Sequence, residues 1–276
     1  MTLSKEEVLE PARTAYTTES PDIDVIRLAR DATATVAHEA VHLCTHAGNP
    51  NAAGAHPARD AAATALDEGL VEAWTHAHLD NILYDIRADE VVPGVMDAKT
   101  EDAYPAYSGA RNGFIDGLAT ISGRRRAELA NQLMRTDISQ RWNVIADIAI
   151  DARLGSQISG EHREQVRGRL ANALRADYAQ VYAVEESELL DNAAKAQRGW
   201  HIGQQAAGNL SLAVDDLADE YHPAQAVERL SGPAAAHRAT AAPVASSPQA
   251  RPAPHNTAPG KHSETHHRGP AGRGDG

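Results

Sequence analysis

The stretch Asp31-Ala32-Thr33-Ala34-Thr35-Val36-Ala37-His38-Glu39-Ala40-Val41-His42-Leu43-Cys44-Thr45 decides how this chain is read. Asp31 or Thr33 can cap a helix, because a short oxygen-bearing side chain accepts from the free N–H groups of a first turn. Helical spacing then runs through Val36, His38, His42 and Leu43 to about Thr45, and Gly48-Asn49-Pro50 supplies the stop.

Inside that helix His38-Glu39-Ala40-Val41-His42 has the H-E-x-x-H form. In a chain with 14 histidines such a match arises by chance in roughly one composition in twenty, so the helical setting matters more than the letters. Four residues apart on a helix, two imidazoles project from one face, close enough to hold one metal ion, with Glu39 one position round.

Outward from this helix, residues 49–57 are rich in Gly, Pro, Asn and Ala and read as a loop. A long second helix is predicted from about Ala58 to Ile86, burying Leu66, Leu70, Trp74 and Leu79. Its segment Leu66-Asp67-Glu68-Gly69-Leu70-Val71-Glu72-Ala73-Trp74 places Glu68, Glu72 and His76 on one stripe. Two imidazoles alone make a weak site, whereas a carboxylate as third donor leaves the fourth tetrahedral position open, as catalytic zinc requires. Asp67 points about a hundred degrees away from Glu68 and is the weaker ligand candidate. His46, His76 and His78 are rival nitrogen donors.

A helix with HExxH followed by one carrying a Glu-Gly pair and an acid four residues later resembles the gluzincin metallopeptidases, the thermolysin-like and aminopeptidase-like branch of the zincins. The resemblance covers about Asp31 to His78. It implies a bound zinc ion with His38, His42 and Glu68 as ligands, and Glu39 as the general base. Glu72 then corresponds to the acid that hydrogen-bonds a ligating histidine, fixing its tautomer and raising its basicity. The implied reaction is peptide hydrolysis: zinc lowers the pKa of its water to about 7, and Glu39 takes a proton and delivers it to the leaving amine. Tyr104, with Tyr107 and Arg111 behind it, is the candidate by position for a second oxyanion donor.

Substrates of that family lie along an edge strand. Strand-like patterns occur at Arg13 to Thr18 and Asp24 to Leu28, separated by Ser20-Pro21-Asp22, so a small hairpin is expected, with Asp24 to Leu28 as the edge. Only about thirty residues precede the motif helix, so the fold is either a minimal zincin or is completed by sequence upstream of Met1.

Further helical patterns follow Val92-Pro93-Gly94: one from Tyr104 through Phe114, Leu118 and Ile121, then stretches near 125–135, 138–154, 161–186 and 189–219. From about Gly232 large apolar side chains almost vanish, and such a segment cannot offset its ordering entropy. The expected fold is therefore mainly α, with a zincin-like core and a small N-terminal hairpin or partial sheet. Its predicted parts are a metal-binding region at 1–95, a helical subdomain at 96–222 and a disordered tail at 223–276.

Composition narrows the partners. The formal charge is −12, and residues 232–276 carry five Lys/Arg against two Asp/Glu, leaving about −15 on the rest. An acidic body repels a phosphate backbone, which argues against nucleic acid as partner. No long apolar run exists, so no membrane span is expected, and the N-terminus carries acids where a signal peptide is apolar. A cytoplasmic protein, or one exported without such a signal, is expected. The single cysteine, Cys44, excludes internal disulfides and thiolate metal clusters, and is expected to be a small buried side chain. Phenylalanine is nearly absent and alanine abundant, which suits close helix packing through small side chains. Two functions stand side by side: a zinc peptidase acting on a peptide or protein substrate, and a catalytically inactive, zinc-stabilised helical interaction module.

Overall fold

The computed structural model describes residues 4–155 and 158–221, all of them helix, turn or loop. A π-helical turn at Lys5–Leu9 leads into α1, Glu10–Thr17, followed by α2, Ile23–Cys44, and α3, Ala61–Asp85. The short α4, Ala88–Val91, precedes a connection to α5, Pro105–Ser122, and α6, Arg126–Met134. A 3-10 turn at Ile138–Gln140 opens α7, Arg141–Arg153, and α8, Gly160–Tyr178, α9, Gln180–Glu185, and α10, Asn192–Tyr221, complete the bundle.

The mainly α expectation matches the structure, but the hairpin does not exist. No strand occurs among the described residues. Arg13 to Thr18 lies almost wholly in α1, and Asp24 to Leu28 forms the first turns of α2. The reason is local and tertiary together. Asp22 caps α2 by accepting from Val25 N at 2.9 Å, well ahead of Asp31, the earliest cap that the sequence suggested. Val25 and Ile26 then pack, with buried Ala29, against Leu79 and Leu83 of α3, so helical burial overrides their strand propensity.

Two apolar clusters share α3. Leu66 and Leu70 join the main core with Phe114, Trp142 and Tyr178, whereas Leu79 and Leu83 belong to the smaller cluster under α1 and α2. The helix carrying the acidic stripe is thus gripped at both ends, and α2 lies against it. Small residues set the closest approaches elsewhere. A Cβ at Gly113 of α5 would stand 2.3 Å from the Trp200 carbonyl oxygen of α10, and one at Gly203 would stand 2.1 Å from that of Ala110.

The connection from α4 to α5 is strapped to α2 by a buried arginine. Arg30 donates from Nε to Thr100 Oγ1 at 2.8 Å, from Nη1 to the Val95 carbonyl at 2.9 Å, and from Nη2 to Asp80 at 2.5 Å. This fixes the segment that delivers Ala103 and Tyr104 beside the histidine motif. All described residues fall within one compact unit, so no boundary near residue 95 is visible in them. The tail predicted at 223–276 lies outside the described residues. Among those described, no helix is long and apolar enough to cross a membrane.

Candidate metal centre

His38 and His42 lie in the last two turns of α2, on the face turned toward Glu68 of α3. His38 Nε2 is 3.0 Å from Glu68 Oε2, His42 Nε2 is 3.3 Å from the same oxygen, and the two Nε2 atoms are 3.0 Å apart. Tetrahedral zinc with bonds of about 2.0–2.1 Å keeps its donors about 3.3 Å apart, so the triangle fits an ion of that size. Among the described residues, these three form the one His/Cys/Asp/Glu group with donor atoms close enough to share a metal ion.

The outward nitrogens decide the chemistry of the inward ones. His38 Nδ1 is 2.8 Å from Glu72 Oε2, and His42 Nδ1 is 3.1 Å from Asp67 Oδ2. An ionised carboxylate only accepts, so each imidazole donates Nδ1–H outward. When neutral, both rings then turn a bare Nε2 lone pair toward the other ring and toward Glu68. Three acceptors converging at about 3 Å repel one another unless positive charge sits among them. That need shows in the titration of the groups. Burial works against charging His38 and His42, yet the flanking carboxylates raise the affinity of both for a proton. Glu68 is held below the usual carboxylate range by the two rings, in spite of its own burial.

Each supporting acid is itself held. Burial alone would raise the pKa of Glu72, but contacts from His38, His76 and Ala103 hold it far below the usual range. His76 Nε2 lies 3.0 Å from Glu72 Oε1, and Ala103 N donates to that oxygen at 2.9 Å. Asp67, 8 % exposed, pairs with the fully buried Arg141 guanidinium, whose Nε donates to the Leu133 carbonyl at 3.0 Å. Asp67 also stays below its ordinary range, since His42 and Arg141 outweigh its burial.

Glu39, next to His38, lines a cleft of about 330 Å³ together with Glu72, Glu101 and Tyr104. The Tyr104 ring centroid is 5.4 Å from that of His38. Burial and the nearby Glu68, Glu39 and Glu72 push its phenol up to about 12, so it remains a donor at neutral pH.

The other candidates lie elsewhere. Tyr107 is in the main core, and Arg111 packs its Cβ region against Gly69 and donates to Asn112 Oδ1 at 2.8 Å. His46 is exposed, and His78 stacks on Trp74 and donates to the carbonyl of that residue at 2.7 Å. Cys44 is exposed, contrary to expectation, because α2 turns that side to solvent at its end.

Sequence reasoning missed the roles of Asp67 and Arg141. By spacing alone Asp67 is only a weaker rival to Glu68, whereas the structure sets it on His42 Nδ1 as the counterpart of Glu72 on His38 Nδ1. Arg141, distant in sequence, left no signal. Set against known proteins, the chain matches no protein-family model, no curated protein and no solved structure.

Proposed function

We propose that this protein is a zinc-dependent peptidase, with His38, His42 and Glu68 as zinc ligands and Glu39 as general base. The observation that carries the reading is the convergence of two Nε2 atoms and one carboxylate oxygen, with both Nδ1 atoms already engaged by Glu72 and Asp67. A mixed nitrogen and oxygen donor set of this size favours zinc over calcium or magnesium, which prefer oxygen donors throughout. The resemblance to gluzincins lies in the two-helix arrangement of ligands, not in a sheet.

When bound, zinc supplies Lewis-acid polarisation of a scissile carbonyl and brings the pKa of a water it holds to about 7. Glu39 receives the proton of the attacking water and returns it to the leaving amine. Tyr104, protonated across the physiological range, donates to the carbonyl oxygen as negative charge develops on it. The peptide occupies the cleft walled by α2 and the segment from Thr100 to Tyr104. Edge-strand addition is replaced by contacts with that wall, since Asp24 to Leu28 is helical.

The same absence of a strand favours the second reading, a zinc-stabilised interaction module with no hydrolysis. Glu39→Gln separates the two. Zinc-loaded wild type and variant are incubated with a mixed-sequence peptide pool and cleavage is read by mass spectrometry. The peptidase reading expects the variant to keep its zinc and lose about 10²–10⁴ in rate. A wild-type protein that holds zinc and cleaves nothing contradicts it and leaves the module.

A further inference from the structure

Glu72 serves two histidines at once. Its Oε2 meets His38 Nδ1 at 2.8 Å, while its Oε1 meets His76 Nε2 at 3.0 Å and accepts from Ala103 N at 2.9 Å. His76 follows Glu72 by one turn on α3, and its side chain is 32 % exposed, against 5 % for Glu72. A line of contacts therefore runs from the surface through His76 and Glu72 to His38, inside a site that the two-helix motif alone does not extend to His76.

We propose that His76 is a positioning residue for the metal centre, acting through Glu72 on His38. This rests on the zinc reading above. A glutamate has more rotamers than an aspartate, so holding an imidazole in one orientation calls for donors on the carboxylate oxygen that faces away from it. Ala103 N–H pins Oε1 from the connection before α5, and His76 pins it from α3 itself, leaving Oε2 free to face His38. Its hydrogen bond to Glu72 keeps His76 more readily protonated than an ordinary histidine, despite partial burial, and a charged donor makes the shorter, stronger bond. Asp102, whose Oδ1 accepts from Tyr104 N at 2.9 Å, adds a further negative charge near His76. With His76 lost, Glu72 is held by one donor on that side and His38 is less firmly aligned toward Glu68.

The test compares His76→Leu with His76→Gln in the full chain. The Gln amide can donate to Glu72 Oε1 from nearly the place of Nε2, whereas Leu cannot. Zinc affinity is measured by chelator competition, and the visible spectrum of the cobalt-substituted protein reports the ligand field. Expected are a loss of about ten-fold in zinc affinity and a shifted cobalt band for His76→Leu, with His76→Gln near wild type in both. Thermal unfolding in chelator provides the folding control, and similar midpoints for the two variants are expected. Equal affinities and spectra in wild type and His76→Leu overturn the proposal while leaving the zinc reading intact, as do equal losses in Leu and Gln. Failure of the wild type to bind zinc removes both.

Discussion

Asp67 stands between the His42 imidazole and a buried cation: its Oδ2 is 3.1 Å from His42 Nδ1, and its Oδ1 accepts from Arg141, which is 1 % exposed. Through this pair the orientation of His42 is tied to α7 and to the backbone carbonyls of Leu133 and Thr136.

Arg141→Met removes one of the two cations that Asp67 faces and leaves it with His42 alone, and breaking a buried ion pair by removing one partner costs up to about 3–5 kcal/mol. Urea unfolding of the metal-free protein is expected to show a loss of that size. The double variant Arg141→Met with Asp67→Leu is expected to regain most of the stability, because no charge is then stranded, while zinc binding stays weakened. Equal stability of wild type and Arg141→Met contradicts this assignment.

Zinc binding is expected to release protons and to strengthen with pH. Without metal, the carboxylates hold His38 at about 9 and His42 at about 10, against 6.5 for a free histidine. Zinc needs both Nε2 lone pairs bare, so affinity rises from pH 6 toward pH 9. The metal-free protein behaves oppositely. Raised pKa values mean that imidazolium–carboxylate contacts stabilise it fully below pH 6.5, and this contribution is lost as pH climbs through about 9 to 10. Calorimetry in buffers of differing ionisation enthalpy counts the protons, and unfolding midpoints with and without zinc follow the stability. A zinc affinity independent of pH speaks against ligation by these rings.

Gly69, beside Glu68, is where α3 meets α5. A Cβ there would lie 2.5 Å from the Tyr107 carbonyl oxygen and 3.0 Å from Arg111 Cβ. Gly69→Ala must push the helices apart and is expected to destabilise by about 1–3 kcal/mol, in spite of the helix propensity gained. Chemical denaturation measures it, and a variant as stable as wild type refutes the packing argument.

Tyr104→Phe tests the oxyanion role. Loss of one donor is expected to reduce kcat by about 10²–10³ with KM little changed and zinc content preserved. Cleavage at the wild-type rate removes Tyr104 from the chemistry.

Much of this was legible because it is local. Four-residue spacing of His38 and His42, the stop at Gly48, and the period of Leu66, Leu70 and Leu79 are helix signals that tertiary packing reinforces. From Pro105 onward the helices lie near the predicted stretches, except that 161–186 divides into α8 and α9, and α10 runs unbroken through Gly199, Gly203 and Gly208, the first two of which pack against α5. At the N-terminus the strand propensity of Val25, Ile26 and Leu28 is overridden, because Asp22 caps a helix and α3 offers Val25 and Ile26 a face to bury against. Glu68 and Glu72 share a stripe one turn apart, their roles being what the resemblance implies, and the structure brings Glu68 against both rings and Glu72 against His38. Asp67, Arg141 and Ala103 N–H could not be placed, since their roles depend on how α3, α5 and α7 meet, and no spacing in the chain encodes that.

Zinc stoichiometry at high affinity, measured on the full chain by competition with a chelator that strips the five histidines of residues 232–276, bears most directly on the centre. Wild type is expected to retain one equivalent, and Glu68→Ala and His38→Ala to retain none. One tightly held equivalent in all three proteins, or none in the wild type, contradicts a site built from His38, His42 and Glu68.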